Sequence, residues 1–472
     1  MTQAEVPSLL DRIKSLAKSW LEVSGSAKSG ETLSLAPDLP DSDLAPLRGQ
    51  MQACLDGKGG EVSARARAAA LGREYLSLSP QGRHRFLKLI AAEFGPDSEA
   101  VDQAMEALRQ APAEKRMLAE QRLREVLEPP RLKLLTQFNG LPEGVKFLVD
   151  LRAELTTMVK GEPGLKALEG DLKGLLAAWF DVGFLELRRL TWNSPASLLE
   201  KLITYEAVHA IRGWDDLKNR LDSDRRLYGF FHPRMPDEPL IFVEVALVQG
   251  LSGDVHHLLD LTAPAGNPDA ADTAIFYSIN NAQRGLNGIS FGNFLIKRVV
   301  EELTREFKNL KTFATLSPIP GFRPWLDSRL AEGEPGLLSA AEHRALAQIS
   351  NGLGAKGSLK ALLADPSWIE DGHMAETMRP SLTRLAARYL AEERKGGNRA
   401  LDSVAHFHLS NGARIERLNW AADTSAKGLG QACGLMVNYL YKLDDIEANH
   451  EAYVGRGKVV MSAAVKHLLK NA

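Results

Sequence analysis

The hydrophobic period of this chain changes once, near Trp192, and that change decides the class of fold open to it. Up to about residue 180 apolar positions recur at helical spacing, with no convincing alternation of the strand kind. VSARARAAALGREYLSL (62–78), RHRFLKLIAAEF (83–94), SEAVDQAMEALRQ (98–110) and AEKRMLAEQRLREVL (113–127) read as rods. Gly95-Pro96 and Pro129-Pro130 separate them, because proline is tolerated at a helix boundary and breaks an interior. LPEGVKFLVDLRAELTTMVK (141–160) and LKALEGDLKGLLAAWF (165–180) complete an expected bundle. The Ser-, Gly- and Pro-rich stretch 25–46 reads as a loop, and 1–20 as an amphipathic helix that carries acids as well as bases, unlike a secretory signal.

Beyond Trp192, strand-like runs alternate with helical ones: RLYGFF (226–231), LIFVEVALV (240–248), TAIFYSIN (273–280) and KTFATLS (311–317). ISFGNFLIKRVVEELTREF (289–307) is the strongest helix, so 273–317 forms a β-loop-α-β unit. The expected class is α+β, with an all-α bundle over 1–185 and a mixed-sheet domain over 186–472. Ten of the eleven histidines lie beyond residue 200, which points to chemistry in the second half.

Composition narrows the partners. Fifty-eight Lys plus Arg balance 60 Asp plus Glu, a net charge of −2, which disfavours a nucleic-acid binder. The longest apolar runs fall short of the roughly 18 residues of a membrane span. Cys54 and Cys433 have neither CxxC nor Cys/His spacing, so no metal site is expected, and a reducing, cytoplasmic location is the default.

Four segments carry possible chemistry. The loop QRGLNGISFG (283–292) joins a strand to the long helix, and its glycines let amides approach a pyrophosphate; tight turning and packing explain them equally well. It matches neither GxGxxG nor GxxxxGK[ST]. In LSPIPGFRPW (316–325) Ser317 ends a strand before two prolines and a glycine; it offers a hydroxyl to a ligand or merely terminates the strand, and no GxSxG elbow surrounds it. In AHFHLSNGARIERLNWAAD (405–423) His406 and His408 alternate on a strand-like stretch that turns at Asn411-Gly412, the pattern of a hairpin, and one of them becomes a candidate acid or base beside a strand-end serine. SAKGLGQACGLMVNYLYKLD (425–444) reads as an apolar helix opened by glycines, and NHEAYVGRGKVV (449–460) sets Tyr453 before a glycine turn with Arg456 and Lys458.

FYSINNAQRGLNGISFGNFLIKRVVEEL, FATLSPIPGF, HFHLSNGA and GLGQACGLMVNYLY, in this order, closely resemble the malonyl-CoA decarboxylase family, over most of 190–460. The resemblance implies a GNAT-type acyl-CoA fold after a helical bundle that mediates assembly, as a homotetramer built as a dimer of dimers. It places the catalytic serine on Ser317, the catalytic histidine on His408 and a contributing tyrosine on Tyr453, with Arg284, Gly285, Gly288 and Ser290 in the CoA loop. Animal relatives carry a glutamate where this chain has Ser290, so no acid role is carried over to that position, and the chain ends in KHLLKNA rather than a peroxisomal SKL tail. Malonyl-CoA is the implied substrate, with no cofactor beyond the CoA it carries. An acyltransferase using acetyl-CoA and a non-catalytic acyl-CoA sensor are the rival readings.

Overall fold

Pro129-Pro130 does two jobs at once: it ends the helix Arg116–Leu127 and starts the helix Pro130–Asn139, with Pro130 at the first helical position, where its missing N–H costs nothing. The computed structural model describes residues 16, 18–20, 35–57, 60–289, 294–350 and 358–470. Most of the amphipathic segment 1–20 and much of the loop 25–46 lie outside these residues. The end of that expected loop is helical: Asp41–Leu55 carries Asp41 and Asp43 in its first turn, which suits the dipole, and buries Leu47, Met51, Cys54 and Leu55. Four buried apolar groups outweigh the hydrogen bond that Pro46 forgoes inside the helix.

The chain forms two compact units. The first comprises residues 1–186 together with 231–240 and 283–290; the second comprises 187–230, 241–282 and 291–472. In the first, the helices Gly60–Ser77, Pro80–Glu93, Gly144–Met158 and Pro163–Trp179 surround an aromatic core in which Trp20 meets Phe147 edge to face at 5.0 Å, and Tyr75 meets Phe86 at 5.2 Å. Ser79 caps Pro80–Glu93 by accepting from the Gly82 amide.

The second unit is built on an eight-stranded mixed sheet: β1 (Glu186–Leu190), β2 (Arg225–Phe231), β3 (Ile241–Val248), β4 (Thr273–Asn281), β5 (Thr312–Thr315), β6 (Ser317–Pro318), β7 (Arg414–Asn419) and β8 (Met436–Leu440). The order is β1-β2-β3-β4-β5-β8-β6, with β7 also paired to β8. β4 and β5 are parallel, and the helix Phe294–Glu306 forms the crossover between them. The strand runs read from sequence all appear, and every residue of β3 but its last is buried. One face of the sheet packs Ala246, Ile275, Ala314, Leu316 and Met436 against Val255 and Leu258. Between β6 and β7 the chain inserts a run of helices, including Phe322–Glu332, Gly372–Glu392 and Ser403–Ser410. No helix among the described residues is long and apolar enough to cross a membrane.

Two segments depart from the sequence reading. HFHLSNGA is not a hairpin: Asp402 caps Ser403–Ser410 by accepting from the amides of Val404 and Ala405, and only after Gly412 does the chain become β7. In GLGQACGLMVNYLY the helix stops at Ala432, Cys433 and Gly434 take positive φ, and the apolar run becomes β8. The break belongs to the two left-handed residues, which satisfy the helix's last carbonyls and release the run to pair with β5 and β7.

Candidate active site

Ser317 leaves the sheet at β6, two residues beyond Thr315, and the pleat sends both side chains to the same face. Their hydroxyl oxygens lie 2.8 Å apart, and Thr315 Oγ1 accepts from the Tyr439 amide at 3.1 Å. Asn438 anchors this end of β5 by donating to the carbonyls of Thr315 and Ser252, while its own oxygen accepts from Asn419. The serine therefore hangs from a braced frame.

The helix Ser403–Ser410 brings His408 against it. Ser317 Oγ and His408 Nε2 are 3.1 Å apart across a sequence separation of 91 residues, and both residues are buried. The other ring nitrogen, Nδ1, lies 2.7 Å from the Tyr441 hydroxyl, its one hydrogen-bond partner among the described residues. Tyr439 stacks on the imidazole with ring centroids 4.5 Å apart at 24°, and its buried hydroxyl has no partner among the described residues.

Burial alone pushes the His408 imidazole down to about 3, so the resting ring is neutral. That differs from an unperturbed histidine, which titrates near neutrality. Burial also raises the Tyr441 phenol well above its ordinary value, so it stays protonated. The site thus holds four exchangeable groups, Thr315, Ser317, His408 and Tyr441, with no net charge among them.

Tyr453 sits elsewhere. It lies in the last turn of the helix Ile446–Arg456, just ahead of the glycine turn at Gly457; its hydroxyl accepts from the Ala400 amide at 2.8 Å and meets His406 Nδ1 at 2.9 Å. His406 and His408, two apart on a helix, point to different neighbours, which the hairpin reading anticipated for a different reason. Arg284, Gly285 and Gly288 belong to the first unit. Arg284–Leu286 form a single 3-10 turn, and the amides of Leu286, Asn287 and Ile289 bond within the loop. A side chain on Gly285 would overlap the Val149 carbonyl, and Arg152 binds the carbonyls of Gly285 and Asn287 at 2.5 and 3.0 Å. Gly285 is thereby a packing glycine, whereas Arg284 and Gly288, the latter at φ +75°, are exposed. Ser290 lies outside the described residues.

Sequence reasoning passed over Tyr441, Thr315 and Asp402. A tyrosine closing an apolar run reads as core, and only the register of β8 against β5 shows where its hydroxyl goes. Among the described residues no group of three or more His, Cys, Asp or Glu side chains is arranged to hold a metal.

Comparison with known proteins gives one answer. A family model described as the malonyl-CoA decarboxylase C-terminal domain matches residues 183–472, and one described as the N-terminal domain matches 94–180. The chain is 38% identical over 419 residues to the mitochondrial malonyl-CoA decarboxylase of Anser anser anser, covering 85% of this chain and 83% of that protein. Its identity to the Rattus norvegicus protein of the same description is 38% over 451 residues, covering 92% and 88%. A solved malonyl-CoA decarboxylase from Rhodopseudomonas palustris matches with a TM-score of 0.82 at 43% identity, covering 90% of this chain and 99% of that one. One from Agrobacterium vitis gives 0.81 at 43%, with the same coverage.

Proposed function

Because this chain belongs to the malonyl-CoA decarboxylase family, we propose that it converts malonyl-CoA to acetyl-CoA and CO2 at Ser317 and His408. The observation that carries the mechanism is the buried 3.1 Å contact between the serine hydroxyl and an uncharged imidazole.

The reaction breaks the bond between the malonyl carboxylate carbon and the α-carbon. Its electron pair moves onto the thioester oxygen, leaving an enolate that must gain one proton at carbon. The placement of hydrogens decides which group offers that proton. Tyr441 is buried with His408 Nδ1 as its partner, so its hydrogen points there and the imidazole carries its own on Nε2. Nε2–H then donates to Ser317 Oγ. Thr315 Oγ1 accepts both from the Tyr439 amide and from the Ser317 hydroxyl. The Ser317 hydrogen therefore rests on Thr315 Oγ1 and turns from it to the substrate when the thioester arrives.

That hydrogen bonds the thioester oxygen as charge develops on it, in a dry site where such a bond is strong. The enolate carbon takes the Ser317 hydrogen, His408 Nε2–H replaces it while the Tyr441 hydrogen passes to Nδ1, so the imidazole stays neutral, and solvent returns a proton to the Tyr441 oxygen, one proton taken up per turnover. We extend the reading to the loop, where the exposed Arg284 guanidinium and the Gly288 turn, shaped around the packing of Gly285 and leading into Ser290, suit the CoA diphosphate. The mixed sheet, with its parallel β4–β5 pair, is consistent with a GNAT-type fold. Tyr453 supports His406 rather than the reacting pair. Two buried free thiols, Cys54 and Cys433, suit a reducing compartment, and the cytoplasm is the location we propose.

The helical unit offers a surface for assembly. The helices Ser98–Gln110 and Arg116–Leu127 pair with each other, the second buries no residue, and Met117 and Leu118 are 79% and 68% exposed. Charges on both helices pair within each helix, Arg109 with Glu106, Arg116 with Glu120 and Arg122 with Glu125, so the exposed Met117 and Leu118 are what a second copy packed about a two-fold axis would cover. A homotetramer made as a dimer of dimers is the assembly we propose.

The test is incubation with malonyl-CoA and no acyl acceptor. Acetyl-CoA and CO2 should appear in equal amounts, and Ser317→Ala and His408→Asn should each lower kcat by roughly 10²-fold or more. Wild-type turnover in both variants would overturn the assignment.

A further inference from the structure

Ser317 and His408 lie on segments that share no backbone ladder, so something must fix the gap between them. We propose that Asp402 is the positioning residue of the pair, its single buried carboxylate tying the serine turn to the histidine helix; this rests on the Ser317–His408 reading above.

Each oxygen of the carboxylate faces one segment. Oδ1 accepts from the amides of Val404 and Ala405, both at 2.9 Å, and so caps the helix that carries His408. Oδ2 accepts from the Gly321 amide at 3.3 Å and the Tyr389 hydroxyl at 3.4 Å. Gly321 lies in the turn that follows β6, four residues beyond Ser317, and a side chain there would overlap the Tyr389 hydroxyl. Glycine is what lets that backbone N–H approach the carboxylate. Tyr389 packs against both Phe322 and Trp325, at 5.9 and 5.3 Å, so Oδ2 is fixed to a rigid wall. Asp402 is 2% exposed, and four donors are what an ionised carboxylate needs to remain there.

A cap alone would use one oxygen. The second makes a bridge, and the two functions are separable by chemistry. An asparagine in place of Asp402 would keep a carbonyl oxygen for Val404 and Ala405, since asparagine caps as well as aspartate. Its amide nitrogen would then face the Gly321 N–H, donor against donor, and the turn would be pushed off. A displacement near 1 Å at a reacting pair costs on the order of 10²-fold in rate.

Asp402→Asn is therefore expected to lower kcat roughly 10²-fold, with KM for malonyl-CoA and the denaturation midpoint little changed. The deciding readout is a double-mutant cycle: in a Ser317→Ala background, Asp402→Asn should cost nothing further, because the hydroxyl it places is gone. Gly321→Ala, which strains the same bridge from the other side without touching the helix cap, should behave alike and serves if the asparagine variant does not fold. Wild-type kcat in the folded variant, or an equal loss with and without Ser317, would overturn the proposal. Wild-type turnover by Ser317→Ala itself would instead remove the reading beneath it.

Discussion

An imidazole kept neutral by burial cannot act as a stored acid, so the proton on Nε2 depends on which tautomer its neighbour enforces. Tyr441 enforces it. Tyr441→Phe keeps the ring and its packing but frees Nδ1 to hold the proton, turning Nε2 into an acceptor that captures the Ser317 hydrogen; kcat is expected to fall roughly 10- to 100-fold with KM little changed, by steady-state kinetics. The same burial makes a stability prediction. Unfolded, His408 titrates near 6.5; folded, near 3, so between these values the unfolded chain binds one more proton and stability falls as pH falls. Denaturant titrations should show the native chain losing about 1.4 kcal/mol per pH unit more than His408→Asn below pH 6.5. Equal slopes would mean that His408 titrates normally. Ser317 and a histidine of the 406/408 pair were candidates from their own segments, but the choice of Ser317 with His408 came from the family resemblance, and the structure brings these two within 3.1 Å. Tyr441 was not a candidate, since its hydroxyl becomes functional only through pairing distant in the chain.

At the level of elements, the histidine helix depends on what stands at its two ends. Asp402 starts it, and Gly412, at φ +82°, reverses the chain into β7 where a side chain would overlap the Ile446 carbonyl. Gly412→Ala thus suffers both backbone strain and a clash that no rotamer relieves, and a loss of about 2–4 kcal/mol is expected in chemical denaturation. A loss below about 1 kcal/mol would show that the turn relaxes freely. These end signals were present in the sequence, yet the alternation of His406 and His408 outweighed them, because eight residues are too few for helical periodicity to declare itself. The strands fared better: β2, β3 and β4 are buried almost throughout, and runs so rich in branched and aromatic residues have few other ways to hide.

For the whole molecule, the physics turns on assembly and division. If Met117 and Leu118 are covered by a second copy, Leu118→Glu should reduce the mass measured by light scattering while leaving helix content unchanged; an unchanged mass would assign the contact elsewhere. The helical half was legible as rods, but not as the owner of chain from beyond residue 186, since nothing in local sequence marks 231–240 and 283–290 as its members. Those two excursions have a practical consequence. His232 meets the Trp179 carbonyl at 3.1 Å, and Gly285 is held by Arg152, so a cut after Glu186 parts residues that were built to be neighbours. Neither piece is then whole: fragments 1–186 and 187–472 should misbehave when produced singly and recover when made together, as a split protein that heals rather than as two modules on a string.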